Sequence, residues 1–173
     1  MLAIACDANF GQQWPMAKEI ERKFMVVGND WRDAAASSRT LVQAYLAIDG
    51  ETSVRVRILD GEEAWLTVKL GVSEMTRDEF EYSVPLADAR EMVEASRGRV
   101  IEKTRHIIAS EGYAWEIDVF EGTLAGLVMA EVEMQSEGDT PPLPAWLGRE
   151  VTGDPAWTNA VLATEGWPEG IHL

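Results

Sequence analysis

The segment Thr52-Ser53-Val54-Arg55-Val56-Arg57-Ile58-Leu59 predicts the fold class, because charged and β-branched residues alternate along it. Alternate side chains of a strand point to opposite faces, so the two arginines share one face and the aliphatic residues the other. The same alternation predicts eight strands, near residues 17–27, 40–48, 52–59, 63–70, 77–84, 99–109, 113–121 and 127–135. Asp49-Gly50 and Asp60-Gly61 separate neighbouring strands and are typical of hairpin turns.

Two helices are predicted in addition to the strands. One follows Pro85 and ends before Gly98. The other begins with Asp154 as its N-cap and a proline in the first turn, runs to about Thr164 and stops at Gly166. The sequence therefore predicts a mainly β fold of the α+β class.

Composition excludes several kinds of partner. The 173 residues carry 15 Lys and Arg against 30 Asp and Glu, a net charge of −15 that argues against nucleic acid or an anionic membrane surface. The sequence has no apolar run of the roughly 18 to 20 residues that a bilayer requires. The single cysteine, Cys6, excludes a disulfide framework and is typical of a cytoplasmic protein.

The first fifteen residues differ from the rest of the chain because they show no hydrophobic period. We predict that residues 1–15 form a flexible N-terminal extension, or precede an alternative start at Met16. The other interpretation is an ordered arm that packs on the domain. Residues 16–173 are predicted to form a single domain.

One face of the predicted strands is charged along almost the whole chain, and its members fall into two sets. The acids are Glu19, Glu21, Glu79, Glu81, Glu116, Asp118, Glu131 and Glu133. The bases are Lys23, Arg55, Arg57, Lys69, Arg77, Lys103 and Arg105.

Two arrangements of this charged face are compatible with the pattern. The commoner one is an antiparallel sheet whose charged face is solvated and whose apolar face covers a core. The other is a closed barrel with the charges inside, which also removes exposed strand edges. Its apolar outer face would then be covered by helices or by a second subunit, so a homodimer is one of the predicted assemblies.

A charged interior would have a definite chemistry. Eight acids and seven bases nearly cancel, as buried charge requires. Carboxylates suit Mg²⁺ or Mn²⁺, and guanidinium and ammonium groups suit phosphate oxygens, so the interior would bind a metal–polyphosphate complex. The alternation places His106 on the outer face, opposite to Arg105, and the sequence has no set of residues typical of a covalent nucleophile.

These motifs, in this order, resemble the triphosphate tunnel metalloenzymes of the CYTH superfamily, particularly its short bacterial single-domain members. The resemblance covers residues 16–165 and rests on an ordered set of motifs: Glu19-Ile20-Glu21-Arg22-Lys23, Arg55-Val56-Arg57, Lys69, Glu79-Phe80-Glu81, Lys103-Thr104-Arg105, Trp115-Glu116-Ile117-Asp118 and Glu131-Val132-Glu133. It implies a closed tunnel of eight antiparallel strands, with helices outside and the C-terminal helix near one mouth.

The resemblance also implies roles for the charged residues. It implies metal binding by Glu19, Glu21, Asp118, Glu131 and Glu133, and phosphate binding by Lys23, Arg55, Arg57, Lys69 and Arg105. It implies catalytic roles for Lys103, Glu21 and Asp118, with Lys103 near the attacking water. Supporting roles, mainly ion pairs that orient the bases, fall to Arg77, Glu79, Glu81 and Glu116.

The expected function is metal-dependent hydrolysis of inorganic triphosphate to diphosphate and phosphate, by in-line attack of water. One alternative is an organic triphosphate, with ATP as the substrate of a cyclase or phosphatase, or thiamine triphosphate. Trp65 has the same strand parity as Lys69 and could stack on an organic group at the tunnel mouth. Two further alternatives are a polyphosphate-binding module without turnover and an ordinary barrel scaffold.

Overall fold

The computed structural model describes residues 17–71, 76–96 and 100–168, and at positions 17, 18, 76 and 77 it describes the backbone. Nine strands are present in this part of the chain: β1 (Ala17–Val26), β2 (Ser37–Asp49), β3 (Thr52–Leu59), β4 (Glu63–Gly71), β5 (Thr76–Ser83), β6 (Val100–Ser110), β7 (Tyr113–Phe120), β8 (Val128–Glu133) and β9 (Leu147–Glu150). The helices are α1 (Leu86–Ala95) and α2 (Asn159–Glu165). Neither helix of the described ranges is long and apolar enough to cross a membrane.

The strands form one antiparallel sheet in the order β5-β4-β3-β2-β6-β7-β8-β1. The first and last strands of this series also pair with each other, from Ala17 opposite Glu79 to Ile20 opposite Thr76. Strand pairing therefore runs around a ring of eight strands, which confirms the predicted fold class. The ring gives the sheet an inner and an outer face.

The predicted turn at Asp60-Gly61 and a second turn at Glu111-Gly112 share one backbone conformation. Asp60 and Gly61 have φ values of 50° and 71°, and Glu111 and Gly112 have φ values of 48° and 87°. Two successive residues with positive φ match the right-handed twist of the strands that they join. These turns fix the β3–β4 and β6–β7 registers.

The ninth strand was not predicted. β9 is four residues long and pairs with the second half of β1, with Val26 opposite Leu147 and Phe24 opposite Glu150. Its sequence does not alternate, so no period marks it.

The outer face of the ring is apolar and covered. Helix α1 packs Ala89 against Ala44, Val56, Ile58 and Ala64 of β2, β3 and β4. On the opposite side Trp31 and Trp115 are buried with Phe24 and Val132, and Trp146 packs against them. The predicted helical cover is therefore present over one part of the outer face, and buried tryptophans cover another part.

The inner face becomes apolar at one end of the ring. There Met25, Ile101, Phe120 and Met129 of four strands are buried together with Trp157, as part of a cluster that also contains Leu124, Leu127, Val151 and Leu162. We call this cluster the apolar floor. It fills the interior at that end, and Leu162 of α2 is part of it.

The predicted C-terminal helix is divided into two parts. Asp154 caps a 3-10 turn at Pro155–Trp157, accepting a hydrogen bond from the Ala156 amide at 3.1 Å. Thr158 then caps α2, and Gly166, with a φ of 79°, ends it as predicted. The predicted stop of the first helix at Gly98 lies outside the described residues.

Candidate functional site

A cavity of about 1470 Å³ occupies the interior of the ring above the apolar floor. We call it the tunnel cavity. Twelve of the fifteen charged residues predicted for one face line it: Glu19, Glu21, Lys23, Arg55, Arg57, Lys69, Glu79, Glu81, Arg105, Glu116, Glu131 and Glu133. The charged face thus points inward, and the solvated-sheet alternative is wrong.

Three of the fifteen are placed differently. Lys103 and Asp118 point inward but lie behind the lining residues, each about 1% exposed. Arg77 pairs with Glu19 through its backbone, and its side chain lies outside the described residues. His106 is on the outer face as predicted, with its ring 5.1 Å from that of Trp31.

The β1 and β8 strands bring four acids and one lysine together. Glu21 lies directly opposite Glu133, and Lys23 directly opposite Glu131. Lys23 Nζ is 2.8 Å from Glu131 Oε1 and 3.5 Å from Glu21 Oε1. Lys23 therefore partly compensates an otherwise negative wall.

The opposite wall, built by β3, β4 and β5, is held by ion pairs. Lys69 Nζ is 2.6 Å from Glu19 Oε2 and 2.8 Å from Glu79 Oε2, which links β4 to β1 and β5. Arg55 Nη2 is 3.4 Å from Glu79 Oε1. Glu81 accepts a hydrogen bond from Thr67 Oγ1 at 2.9 Å. This geometry supports the orienting role predicted for Glu79 and Glu81.

A third network lies on β6, β7 and β8. Arg105 contacts both oxygens of Asp118, with Nε and Nη2 each at 2.7 Å, and its Nη2 is 3.0 Å from Glu131 Oε2. Arg105 also pairs with Glu116. Burial opposes the charged form of this guanidinium, but Asp118 and Glu116 outweigh that effect and raise its pKa well above the usual value. Arg105 therefore stays cationic.

Lys103 lies at the boundary between this network and the apolar floor. Its ammonium group bonds Asp118 and lies 5.5 Å from the centre of the Phe120 ring. Burial lowers the pKa of Lys103 to about 8, although Asp118 acts in the opposite direction. Asp118 and Lys103 thus support Arg105 from beneath the cavity.

Two charges on the cavity wall are poorly compensated. Within the described part of the chain, Arg57 forms no ion pair, and its buried Nε has no hydrogen-bond partner. Burial and the neighbouring Arg55 and Arg105 lower the pKa of Arg57 to about 10. An anion beside Arg57 would remove this imbalance.

The second uncompensated charge is Glu133, which lines the cavity and is exposed. Desolvation, followed by the charges of Glu116, Glu19, Glu21 and Glu79, raises the pKa of the Glu133 carboxyl to about 7. A cation beside Glu133 would relieve this repulsion.

The donor set fits a divalent metal. Glu19, Glu21, Glu131 and Glu133 offer carboxylate oxygens, the ligands that Mg²⁺ and Mn²⁺ prefer. Among the described residues no three acids already converge as a metal cluster. The present partners of these acids explain this, since Lys69 holds Glu19 and Lys23 holds Glu131. Metal binding would replace lysine contacts with metal contacts.

Glu133 also predicts how stability depends on pH in the absence of metal. Because the pKa of its carboxyl is higher in the folded protein, near 7, than its usual value of 4.5, the folded state binds the proton more tightly. Stability should therefore rise as the pH falls from 8 to 6. We expect the melting temperature in EDTA to rise over this interval by roughly 2 °C more in the wild type than in Glu133→Gln. Equal pH dependence of the two proteins would contradict this assignment.

The sequence did not single out every residue that lines the cavity. Tyr45 of β2 is buried opposite Arg55, and Trp157 lines the cavity beside the floor. The strand period places Tyr45 on the same face as Gln43, but the apolar residues around it in the sequence gave no reason to choose it as a site residue. Trp65 lines the cavity, as its parity predicts.

A closed ring of antiparallel strands around a lumen of balanced acids and bases defines a class of charged-tunnel proteins. Residues 17–154 match the CYTH domain, and the chain belongs to the CYTH domain family. This confirms the predicted resemblance.

The relatives found by comparison cover nearly the whole domain. An inorganic triphosphatase of Acetivibrio thermocellus is 41% identical over 85% of this chain and 94% of its own length. An inorganic triphosphatase of Nitrosomonas europaea is 34% identical over 84% of this chain and 96% of its own length. A solved structure described as an inorganic triphosphatase is 34% identical, with a TM-score of 0.62 over 86% of this chain and 95% of that chain.

Proposed function

We propose that this protein hydrolyses inorganic triphosphate to diphosphate and phosphate in the tunnel cavity, with Mg²⁺ or Mn²⁺ bound. The observation that carries the proposal is a pair of poorly compensated charges in one cavity: among the described residues neither Arg57 nor Glu133 forms an ion pair. A metal-bound polyphosphate supplies an anion for the first and a cation for the second. The names of the 41% and 34% identical relatives support inorganic triphosphate as the substrate.

Five bases would hold the phosphate chain: Lys23, Arg55, Arg57, Lys69 and Arg105. They come from four strands, β1, β3, β4 and β6, with two of them on β3, so they approach the cavity from different sides. Guanidinium groups bind two phosphate oxygens at once, and lysines act as point charges. Because ion pairs already fix Arg55, Lys69 and Arg105, these three would reach the substrate largely pre-oriented.

The metal would be held by Glu19, Glu21, Glu131 and Glu133, with Asp118 assisting through the network around Arg105. A bound divalent ion neutralises charge on phosphate oxygens and helps to orient the attacking water. The carboxylates of this chain repel anions from their wall, so a phosphate chain without metal would bind more weakly than its metal complex.

The reaction itself needs no covalent intermediate. The water oxygen forms a bond to the terminal phosphorus, the bond to the bridging oxygen breaks, and diphosphate leaves with the electron pair of that bond. The bases of the cavity stabilise the negative charge that develops on the bridging and terminal oxygens. Glu21 would face the reacting groups from the cavity wall, whereas Lys103 and Asp118 would contribute by holding Arg105 in place.

A second substrate class has an observation in its favour. Trp65 and Tyr45 line the cavity, so an aromatic group attached to a triphosphate could stack there. The charged residues would serve an organic triphosphate equally well. The cytoplasm is the proposed location, on the ground of the single cysteine, Cys6.

A phosphate-release assay distinguishes these functions. The purified protein is incubated with Mg²⁺ or Mn²⁺ and with inorganic triphosphate, ATP, thiamine triphosphate or a longer polyphosphate. We expect release from inorganic triphosphate at a rate at least about 10 times that with either organic substrate. Faster release from ATP or thiamine triphosphate would favour the second class, and release from none of them would indicate a binding module.

A further inference from the structure

We infer that Gln43, in the middle of β2, is a positioning residue for Arg57. Its side-chain carbonyl would accept a hydrogen bond from Arg57 Nε, so that the two terminal nitrogens of the guanidinium face the substrate. The inference rests on the proposed function, because triphosphate oxygens are the acceptors that those two nitrogens would meet.

Gln43 is wholly buried inside the ring, with 0% of its surface exposed. Its Nε2 donates a long hydrogen bond of 3.5 Å to Tyr45 Oη. Its Oε1 has no partner in the part of the chain that the structure describes. Buried amide groups are nearly always hydrogen-bonded, so the free carbonyl requires an explanation.

Strand register limits the groups that can reach this carbonyl. Gln43 lies directly opposite Arg57 on β3 and Ile101 on β6. Directly opposed residues of antiparallel strands have Cβ atoms about 4.5 to 5.5 Å apart. Along β2 the neighbours on the same face are Leu41 and Tyr45. Of these four neighbours, Arg57 is the one that brings a cationic N–H donor.

Arg57 presents the complementary group. Its Nε is buried and has no hydrogen-bond partner among the described residues. A donor and an acceptor that both lack partners therefore lie on directly opposed residues, within the reach of two long side chains. If Nε–H donates to the amide, the guanidinium plane is fixed, and both terminal nitrogens stay available for a bidentate phosphate contact.

The pair Gln43–Tyr45 would support both arginines of β3. Tyr45 lies directly opposite Arg55, as Gln43 lies opposite Arg57. The hydrogen bond between Gln43 and Tyr45 connects the two supports. Gln43 thus sets the orientation of a binding group without lining the tunnel cavity itself.

The test compares Gln43→Met with Leu41→Met. Methionine preserves the volume of glutamine but accepts no comparable hydrogen bond, and Leu41 is the next inward residue of β2, 3% exposed. We expect Gln43→Met to raise the KM for inorganic triphosphate about 10-fold with kcat within about twofold, and Leu41→Met to leave KM unchanged. In an Arg57→Ala background Gln43→Met should have no further effect, because the two residues act as a unit.

Binding measured without turnover provides the second readout. Titration calorimetry with sodium tripolyphosphate in EDTA should give a weaker dissociation constant for Gln43→Met, by a similar factor. Gln43→Asn keeps a buried amide but is one methylene too short for Arg57, so it should behave like Gln43→Met and covers the case in which methionine impairs folding. A wild-type KM and dissociation constant in Gln43→Asn, or equal effects of Gln43→Met with and without Arg57, would overturn the inference.

The proposed function and the proposed role of Gln43 can be contradicted by different results. A wild-type protein that releases no phosphate from triphosphate contradicts the proposed function, while the calorimetric comparison still tests Gln43. A wild-type protein that hydrolyses triphosphate, together with a Gln43→Met variant that matches it in both assays, contradicts the positioning role alone.

Discussion

Glu21→Gln is expected to lower kcat for metal-dependent triphosphate hydrolysis by about 10³-fold while leaving the fold intact. Glu21 lines the tunnel cavity directly opposite Glu133. The change removes one carboxylate oxygen donor from the proposed metal-binding wall. Activity is measured by phosphate release at several Mg²⁺ and Mn²⁺ concentrations.

The thermal stability of Glu21→Gln should not fall together with its activity. Removing the charge of Glu21 relieves repulsion with Glu133, and Lys23 keeps Glu131 as its partner at 2.8 Å. The melting temperature in EDTA should therefore stay unchanged or rise. An activity loss that came from misfolding would instead lower it.

The matched control for Glu21→Gln is Glu102→Gln. Glu102 is also a strand glutamate, but it lies on the exposed outer side of β6, so its change should leave kcat unaltered. Glu131→Gln should lose turnover as Glu21→Gln does. Full activity of both Glu21→Gln and Glu131→Gln at low metal concentration would defeat the metal assignment.

Arg57→Ala is expected to raise the KM for inorganic triphosphate about 10²-fold, because it removes a charged donor that lacks a partner of its own in the described structure. Burial and two neighbouring arginines already lower the pKa of Arg57 to about 10. Its loss should thus reduce repulsion and leave the melting temperature unchanged or higher. Steady-state kinetics with inorganic triphosphate give the value.

Arg22→Ala is the matched control, since Arg22 belongs to the same class of residue but lies outside the tunnel. It binds Glu150 of β9 through two hydrogen bonds, of 2.8 Å and 2.7 Å. We expect its removal to lower stability slightly, as for exposed ion pairs, and to leave KM within about twofold of the wild type. Equal KM values in the Arg57 and Arg22 variants would refute the inward assignment.

Strand parity explains why much of the site could be predicted from the sequence. Alternation assigned Arg55, Arg57 and Lys69 to one face, and the same face lines the cavity. The alternation of side chains does not show how far along the axis of the ring a residue lies. Lys103 and Asp118 share the inward face but lie behind the lining, next to Phe120, and no sequence period distinguishes that position.

Other features depend on contacts between distant segments. β9 forms because Leu147–Glu150 meets the second half of β1, and four residues without alternation give no local signal of this. The ion pairs of Lys69 depend on the β4–β5 register and on the pairing of β1 with β5. They could therefore not be predicted from the local sequence. The C-terminal segment holds two successive caps, Asp154 and Thr158, and the sequence alone does not say which of them starts the α-helix.

The apolar floor has a consequence for polymeric substrates. Because Phe120, Trp157 and their neighbours pack together at one end, we expect a phosphate chain to enter the cavity from the other end. A long polyphosphate should then not pass through the cavity, and only its terminus would reach the bases and acids inside. Polymers capped at both ends should therefore resist cleavage, and diphosphate must retreat through the same opening by which the next substrate arrives.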